Sequence, residues 1–328
     1  MKRAFFFCPI FVCFLILQHS FCSPTNGSKT PALPLPMNPT QPLATIPQQS
    51  EPLSFIRSRI RNGVRNYAVF YGHGHINELR QFDVMVVDPR AYSAAERAQL
   101  KARIKGGEAG QRPILIGYLT CSEVLPNDPI LQQVEEADYY RVNGVPLRVP
   151  GSNAYVMDLR QTHWRQLLLN QVQQMLFDGF DGVFLDTLAI GEDPQFPPAV
   201  GQGFLESAGL FVSGIRGNWP NNIIVQNWGI HQLKNYTLSN LDVICWENFQ
   251  VQFVETDQWS KNRLAELIQI RNTGFPIWTL YNMTEAQADD AAYQAQMYKY
   301  SRSYRFIPYC ALPNYTAGVN VGPLQAGL

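Results

Sequence analysis

Eight short runs rich in Val, Ile and aromatic residues recur from Phe55 onward, most of them separated by stretches of helical periodicity. The pattern predicts strands at Tyr67–Tyr71, Phe82–Asp88, Ile114–Leu119, Val183–Asp186, Ile223–Asn227, Val243–Glu247, Ile277–Tyr281 and Phe306–Ala311. Helices are predicted at Ala94–Lys105, Thr162–Phe177, Val200–Arg216, Gln258–Arg271 and Glu285–Arg302, with an extra strand-like piece at Ala154–Leu159. The helix from Thr162 is the clearest, because Trp164, Leu167, Leu168, Val172, Met175 and Leu176 line one face. Eight strands alternating with helices over about 270 residues is the count of a (β/α)8 TIM barrel. An open doubly wound sheet is the alternative, but no Gly-rich turn follows the first strand to make its nucleotide site.

The chain before this pattern has a different character. Lys2 and Arg3 precede an apolar run from Phe5 to Leu17, followed by Ser20-Phe21-Cys22-Ser23. This reads as a cleavable signal peptide over 1–22, too short to span a bilayer, and it predicts a secreted, periplasmic or cell-envelope protein. A lipid anchor on Cys22 is the rival reading, disfavoured by the bulky Phe21 before it. Residues 23–54 hold eight of the 23 prolines and read as a Pro-rich, disordered linker. The single folded domain is therefore expected over 55–328. Lys plus Arg equals Asp plus Glu, which offers no attraction for nucleic acid or an anionic membrane. No integral membrane segment is expected after signal cleavage, and the domain is expected to be a monomer. Cys121, Cys245 and Cys310 are three widely spaced cysteines outside the signal region, which argues against a disulfide framework.

In a barrel of this kind the active site lies at the carboxyl ends of the strands. Acids stand there repeatedly: Asp88 ends strand two, Glu123 follows strand three, Asp186 ends strand four and Glu247 ends strand six, while Asp158 ends the extra piece. Asp186 shares a strand face with Phe184, and Glu247 shares one with Val243 and Cys245, so both acids can continue inward rows. Aromatic residues also stand at strand ends: Tyr71, Trp228, Trp246 and Tyr281.

The motifs "YLTCSE" (118–123), "YVMDLRQTHWRQLL" (155–168), "GFDGVFLDTL" (179–188), "VQNWG" (225–229) and "CWENF" (245–249) resemble glycoside hydrolase family 114. The resemblance runs from about Tyr67 to Pro313 and implies a TIM barrel with endo-α-1,4-polygalactosaminidase-like activity. It implies that Asp186 and Glu247 are the catalytic carboxylates. Tyr118 and Asn227, within the matching motifs, join Tyr71, Asp88, Glu123, Asp158, Trp228, Trp246 and Tyr281 as candidate substrate-binding residues. The implied partner is a polysaccharide, an amino-sugar polymer whose ammonium groups the extra acids would bind. No cofactor is implied. Two positions depart from the family pattern: Ala189 stands where a second acid is common, and Tyr155 where a Trp is common.

The division of labour expected is Asp186 as nucleophile, kept ionised by Thr187 and nearby backbone donors, and Glu247 as acid/base, its pKa raised by Trp246 and Phe249. Two other readings remain. His73 and His75 form an HxH pair just after strand one, as in metal-dependent barrel hydrolases, although only His19, His163 and His231 remain to complete a ligand set. No metal site is expected. The other reading is a sugar-binding barrel of the envelope without turnover, for which Ala189 is the motivating feature.

Overall fold

The computed structural model describes residues 52–102 and 112–325. The expected signal peptide and the linker up to residue 51 lie outside the described residues. Eight parallel strands hydrogen-bond in chain order: β1 (Tyr67–Phe70), β2 (Val84–Val87), β3 (Ile114–Thr120), β4 (Gly182–Asp186), β5 (Ile223–Asn227), β6 (Val243–Glu247), β7 (Ile277–Asn282) and β8 (Ile307–Ala311). The longer helices are α1 (Leu53–Asn62), α2 (Ala94–Lys101), α3 (Thr162–Phe177), α4 (Pro198–Asn218), α5 (Gln258–Asn272) and α6 (Ala291–Ser303). β8 lies against β1, which closes the sheet into the expected (β/α)8 barrel. The hydrogen-bonded ladder does not cross this last seam, and β8 contains Pro308, a residue that sheets accept at an unpaired edge.

The barrel is filled by side chains, as its size requires. Tyr67 points in from β1, stacks on Trp278 at 4.2 Å between ring centres, and donates its hydroxyl to the Thr279 carbonyl at 2.9 Å. Gly182 opens β4 because a Cβ there would stand 2.2 Å from the carbonyl oxygen of Ile223 on β5. Local differences from the expected elements have local causes. The helix expected over Glu285–Arg302 breaks at Asp289-Asp290, where Asp290 caps α6 by accepting from the Tyr293 amide at 2.9 Å. The extra piece at Ala154–Leu159 contributes only Tyr155–Val156, which pairs with Glu123–Val124 outside the barrel.

The amino-terminal face of the barrel carries a repeated device. An aspartate stands immediately before β2, β4 and β6, and its carboxylate accepts a backbone N–H at or just before the start of the preceding strand. Asp83 takes the Arg65 amide at 2.8 Å, Asp181 the Leu115 amide at 2.9 Å and Asp242 the Ile224 amide at 3.0 Å. Arg112 forms two 2.7 Å bonds to Asp181, while Arg57 and Arg216 each reach Asp242 at 2.6 Å. Arg57 belongs to α1, whose Ile56 and Ile60 are buried under the barrel. Helix α1 begins at Leu53, so the folded domain starts inside the stretch that reads as linker. The Pro-rich composition of residues 23–54 masks the amphipathic spacing that begins at its last two residues.

Candidate active site

The carboxyl ends of β4, β5 and β6 bring Asp186, Asn227 and Glu247 together. The side-chain nitrogen of Asn227 donates to Asp186 Oδ1 at 2.9 Å and to Glu247 Oε2 at 2.7 Å. Asp186 Oδ1 also accepts the Thr187 amide at 2.8 Å, and Oδ2 accepts the Tyr118 hydroxyl at 2.8 Å. Glu247 Oε1 accepts the hydroxyl of Tyr315, from the loop after β8. Burial first, and then the Asp186 charge, holds the Tyr118 phenol well above its ordinary pKa. It therefore stays a donor throughout the neutral range. Tyr71 lies between the two phenols, its ring centre 4.4 Å from that of Tyr118 and 5.3 Å from that of Tyr315.

Backbone strain gathers at the same strand ends. Thr187, Trp228 and Asn248 directly follow Asp186, Asn227 and Glu247, and their φ angles are 59°, 58° and 58°. A left-handed residue with a side chain costs roughly 1–2 kcal/mol, least for Asn. At Thr187 the strain is held by hydrogen bonds: its hydroxyl oxygen accepts the amides of Cys121 and Ser122 at 3.0 and 2.8 Å. These bonds bind the loop after β3, which carries Glu123, to the turn after Asp186. The Glu123 carboxyl is pushed up to about 7, by burial first and then by the charges of Asp186 and Asp193.

The remaining candidates are placed elsewhere. Asp88 and Asp158 are each neutralised by an arginine two residues on. Arg90 meets Asp88 at 3.2 Å and Asp128 at 2.8 Å, and Arg160 clasps Asp158 with bonds of 2.8 and 2.7 Å. Both acids also accept the amide of that arginine. They are turn-forming ion pairs, which corrects the expectation that they offer free charge to a cationic sugar. Trp246 alternates with Glu247 and therefore faces away from the barrel mouth; it is buried against Phe249 and Trp228. Tyr281 also faces outward. Its neighbour-but-one Thr279 bonds Ser301 of α6 at 2.9 Å, and its own hydroxyl reaches Gln287 at 3.1 Å in a small satellite core. Neither ring faces the mouth as the expected substrate-binding role would need, because strand alternation turns both toward the helices. Trp228 remains partly exposed, packed against Trp246 and Trp259.

Two further positions bear on the alternative readings. Ala189 is buried, so an acid would have no water there. His73 pairs with Glu96 at 2.9 Å and His75 stands 3.6 Å from Glu78. Among the described residues no group of three or more His, Cys, Asp or Glu side chains is arranged to hold a metal ion. The three described cysteines are free and buried. Sequence reasoning missed Tyr315 entirely, since a tyrosine after the last strand carries no motif.

No family model matches the sequence, and no curated protein matches it. The likeness lies with solved structures. The glycoside hydrolase domain of PelA from Pseudomonas aeruginosa superposes with a TM-score of 0.64 at 20% identity, covering 79% of this chain and 98% of that one. Aspergillus fumigatus Ega3, solved in complex with galactosamine, gives 0.56 at 13% identity over 79% of this chain and 94% of that one. Alpha-L-fucosidase isoenzyme 2 from Paenibacillus thiaminolyticus gives 0.50 at 13% identity, over 77% of this chain and 47% of that one. The PelA domain is a glycoside hydrolase and the third neighbour a fucosidase. At these identities the likeness establishes the barrel they share with this chain.

Proposed function

We propose that the protein is an exported glycoside hydrolase that cleaves an α-1,4-linked, galactosamine-containing polysaccharide with retention of configuration. The observation that carries this reading is the shared donor between the two carboxylates. Bonds of 2.9 and 2.7 Å to one nitrogen hold Asp186 Oδ1 and Glu247 Oε2 within about 5.6 Å of each other. Retaining glycosidases space their carboxyls at about 5–5.5 Å, whereas inverting ones need about 6.5–9.5 Å to admit a water.

In this scheme Asp186 attacks the anomeric carbon as Glu247 protonates the departing glycosidic oxygen. Water then attacks the glycosyl-enzyme with Glu247 as base, which restores both carboxyls. Three donors fix the Asp186 carboxyl in place for attack. The acid role of Glu247 draws no support from Trp246 and Phe249, which pack away from it; it rests on the phenol that Glu247 contacts. Glu123, beside Asp186 and Asp193, is the group best suited to meet a substrate ammonium. The galactosamine bound in the Ega3 structure supports this substrate class.

The decisive experiment incubates the mature protein with partially deacetylated galactosaminogalactan and follows short oligomers by mass spectrometry. Proton NMR of the first products reads their anomeric configuration. Depletion of polymer from solution without products would replace the hydrolase by a sugar-binding barrel, and products of inverted configuration would overturn retention.

A further inference from the structure

Tyr315 is 1% exposed and lies 68 residues from the glutamate it contacts. It sits in a tight turn after β8, where Asn314 and Tyr315 both adopt left-handed φ, 57° and 58°. Three hydrogen bonds fix that turn. The Asn314 amide donates to the Asn282 side chain at 3.1 Å, the Tyr315 amide to the Leu312 carbonyl at 3.0 Å, and the Tyr71 amide to the Tyr315 carbonyl at 2.8 Å. The last of these crosses the β1–β8 seam. The turn thus brings the phenol over β7 to the end of β6.

The two oxygens of Glu247 face partners of different chemistry. Oε2 faces the Asn227 amide, which in this orientation only donates, so a proton on Oε2 would confront another proton. Oε1 faces a hydroxyl, which can donate to a carboxylate and, after turning its hydrogen, accept from a carboxylic acid. The titratable groups around Glu247 are Asp186 across Asn227, Tyr118 from β3, Tyr71 after β1, Cys245 on its own strand and Tyr315 itself. Tyr118 and Cys245 both feel the Glu247 charge. Tyr315 contacts Oε1 directly through its hydroxyl.

We infer that Tyr315 is the positioning residue that lets Glu247 alternate between acid and base, by directing the proton to Oε1 and serving both states through its reversible hydroxyl. This rests on the acid/base role proposed for Glu247, but its test does not require turnover. The carboxyl carbon of Glu247, assigned with Glu247→Gln, is titrated by carbon-13 NMR in the wild type and in Tyr315→Phe. Removing a donor to the ionised form raises the midpoint by about one pH unit. Replacing Tyr315 alone with 3,5-difluorotyrosine keeps the shape and strengthens the donor, so the midpoint falls. On an active substrate, the alkaline limb of the kcat profile moves in the same directions, while KM changes less than about twofold. An unmoved midpoint in the folded Tyr315→Phe protein overturns the inference. If that variant does not fold, an unmoved midpoint in the fluorinated protein does so. Midpoints that move in a protein without hydrolytic activity would uphold the Tyr315–Glu247 coupling and count against the hydrolase reading alone.

Discussion

Asp186 and Glu247 accept hydrogen bonds from a single nitrogen of Asn227, so the position of one carboxyl is tied to that of the other. The two strand ends have little freedom to drift apart, because Thr187, Trp228 and Asn248 hold the following turns in left-handed conformations. The strain and the shared donor together keep the two acids close at the barrel mouth.

The two aspartates of β4's motif should part company on mutation. Asp186→Asn, at the carboxyl end, is expected to lower kcat by at least about 1,000-fold with little change in urea stability. Asp181→Asn, at the opposite end, leaves Arg112 buried beside a neutral amide and should cost roughly 3–5 kcal/mol of stability. Its kcat in the folded fraction should stay within about twofold. Urea melts and steady-state kinetics on both variants check the contrast, and similar profiles for the two would contradict it.

Glu247→Gln should be as inactive as Asp186→Asn yet still bind oligosaccharide. Because the two groups act as a unit, the double variant should lose little beyond either single one. Isothermal calorimetry with a galactosamine oligomer, together with single-turnover rates, reads both points. Turnover within tenfold of wild type in the folded Glu247→Gln protein would remove Glu247 from the chemistry.

Glu123 ties stability to pH. Its carboxyl is pushed from the ordinary 4.5 up to about 7 in the fold. Between those values the folded chain binds the proton that the unfolded chain releases, so stability is full below about 4.5 and declines as pH rises through about 7. Glu123→Gln removes that decline. The variant should match wild type near pH 4 and exceed it at pH 8 by roughly 1–3 kcal/mol, after allowance for the part of the side chain that water reaches. Urea unfolding at both values measures it; a difference that is the same at pH 4 and pH 8 would rule out the carboxyl as its source.

Trimming from the amino terminus should show where the domain begins. Removal of residues 1–51 is expected to leave the melting temperature within a few degrees, as the Pro-rich composition has little to pack. Removal through Asn62 uncovers the apolar bed of Ile56 and Ile60 and takes Arg57 from the buried Asp242. It should lower the melting temperature by at least about 10 °C. Equal melting for both truncations would show that α1 is dispensable.

Much of this molecule is written in local patterns. Alternation with a period of two against one of 3.6 is a property of neighbouring residues, so the eight strands and the prominent α3 were legible, and with them the barrel. The same parity turns Asp186 and Glu247 inward, and it also turns Trp246 outward, since it adjoins Glu247. The arginines that neutralise Asp88 and Asp158 stand two residues away and were equally in view. What no local pattern contains is which side chains meet over the mouth. Asn227 bridges two strands through the register of β4, β5 and β6, and Tyr315 reaches Glu247 only because β8 returns to β1 and its turn crosses β7. Such contacts depend on strand stagger and barrel closure, quantities set by the whole sheet at once. The sequence by itself determined the barrel and the facing of its strand-end acids. Only the tertiary structure decided that two of those acids share one donor, that one of them faces a phenol, and that two others are already paired.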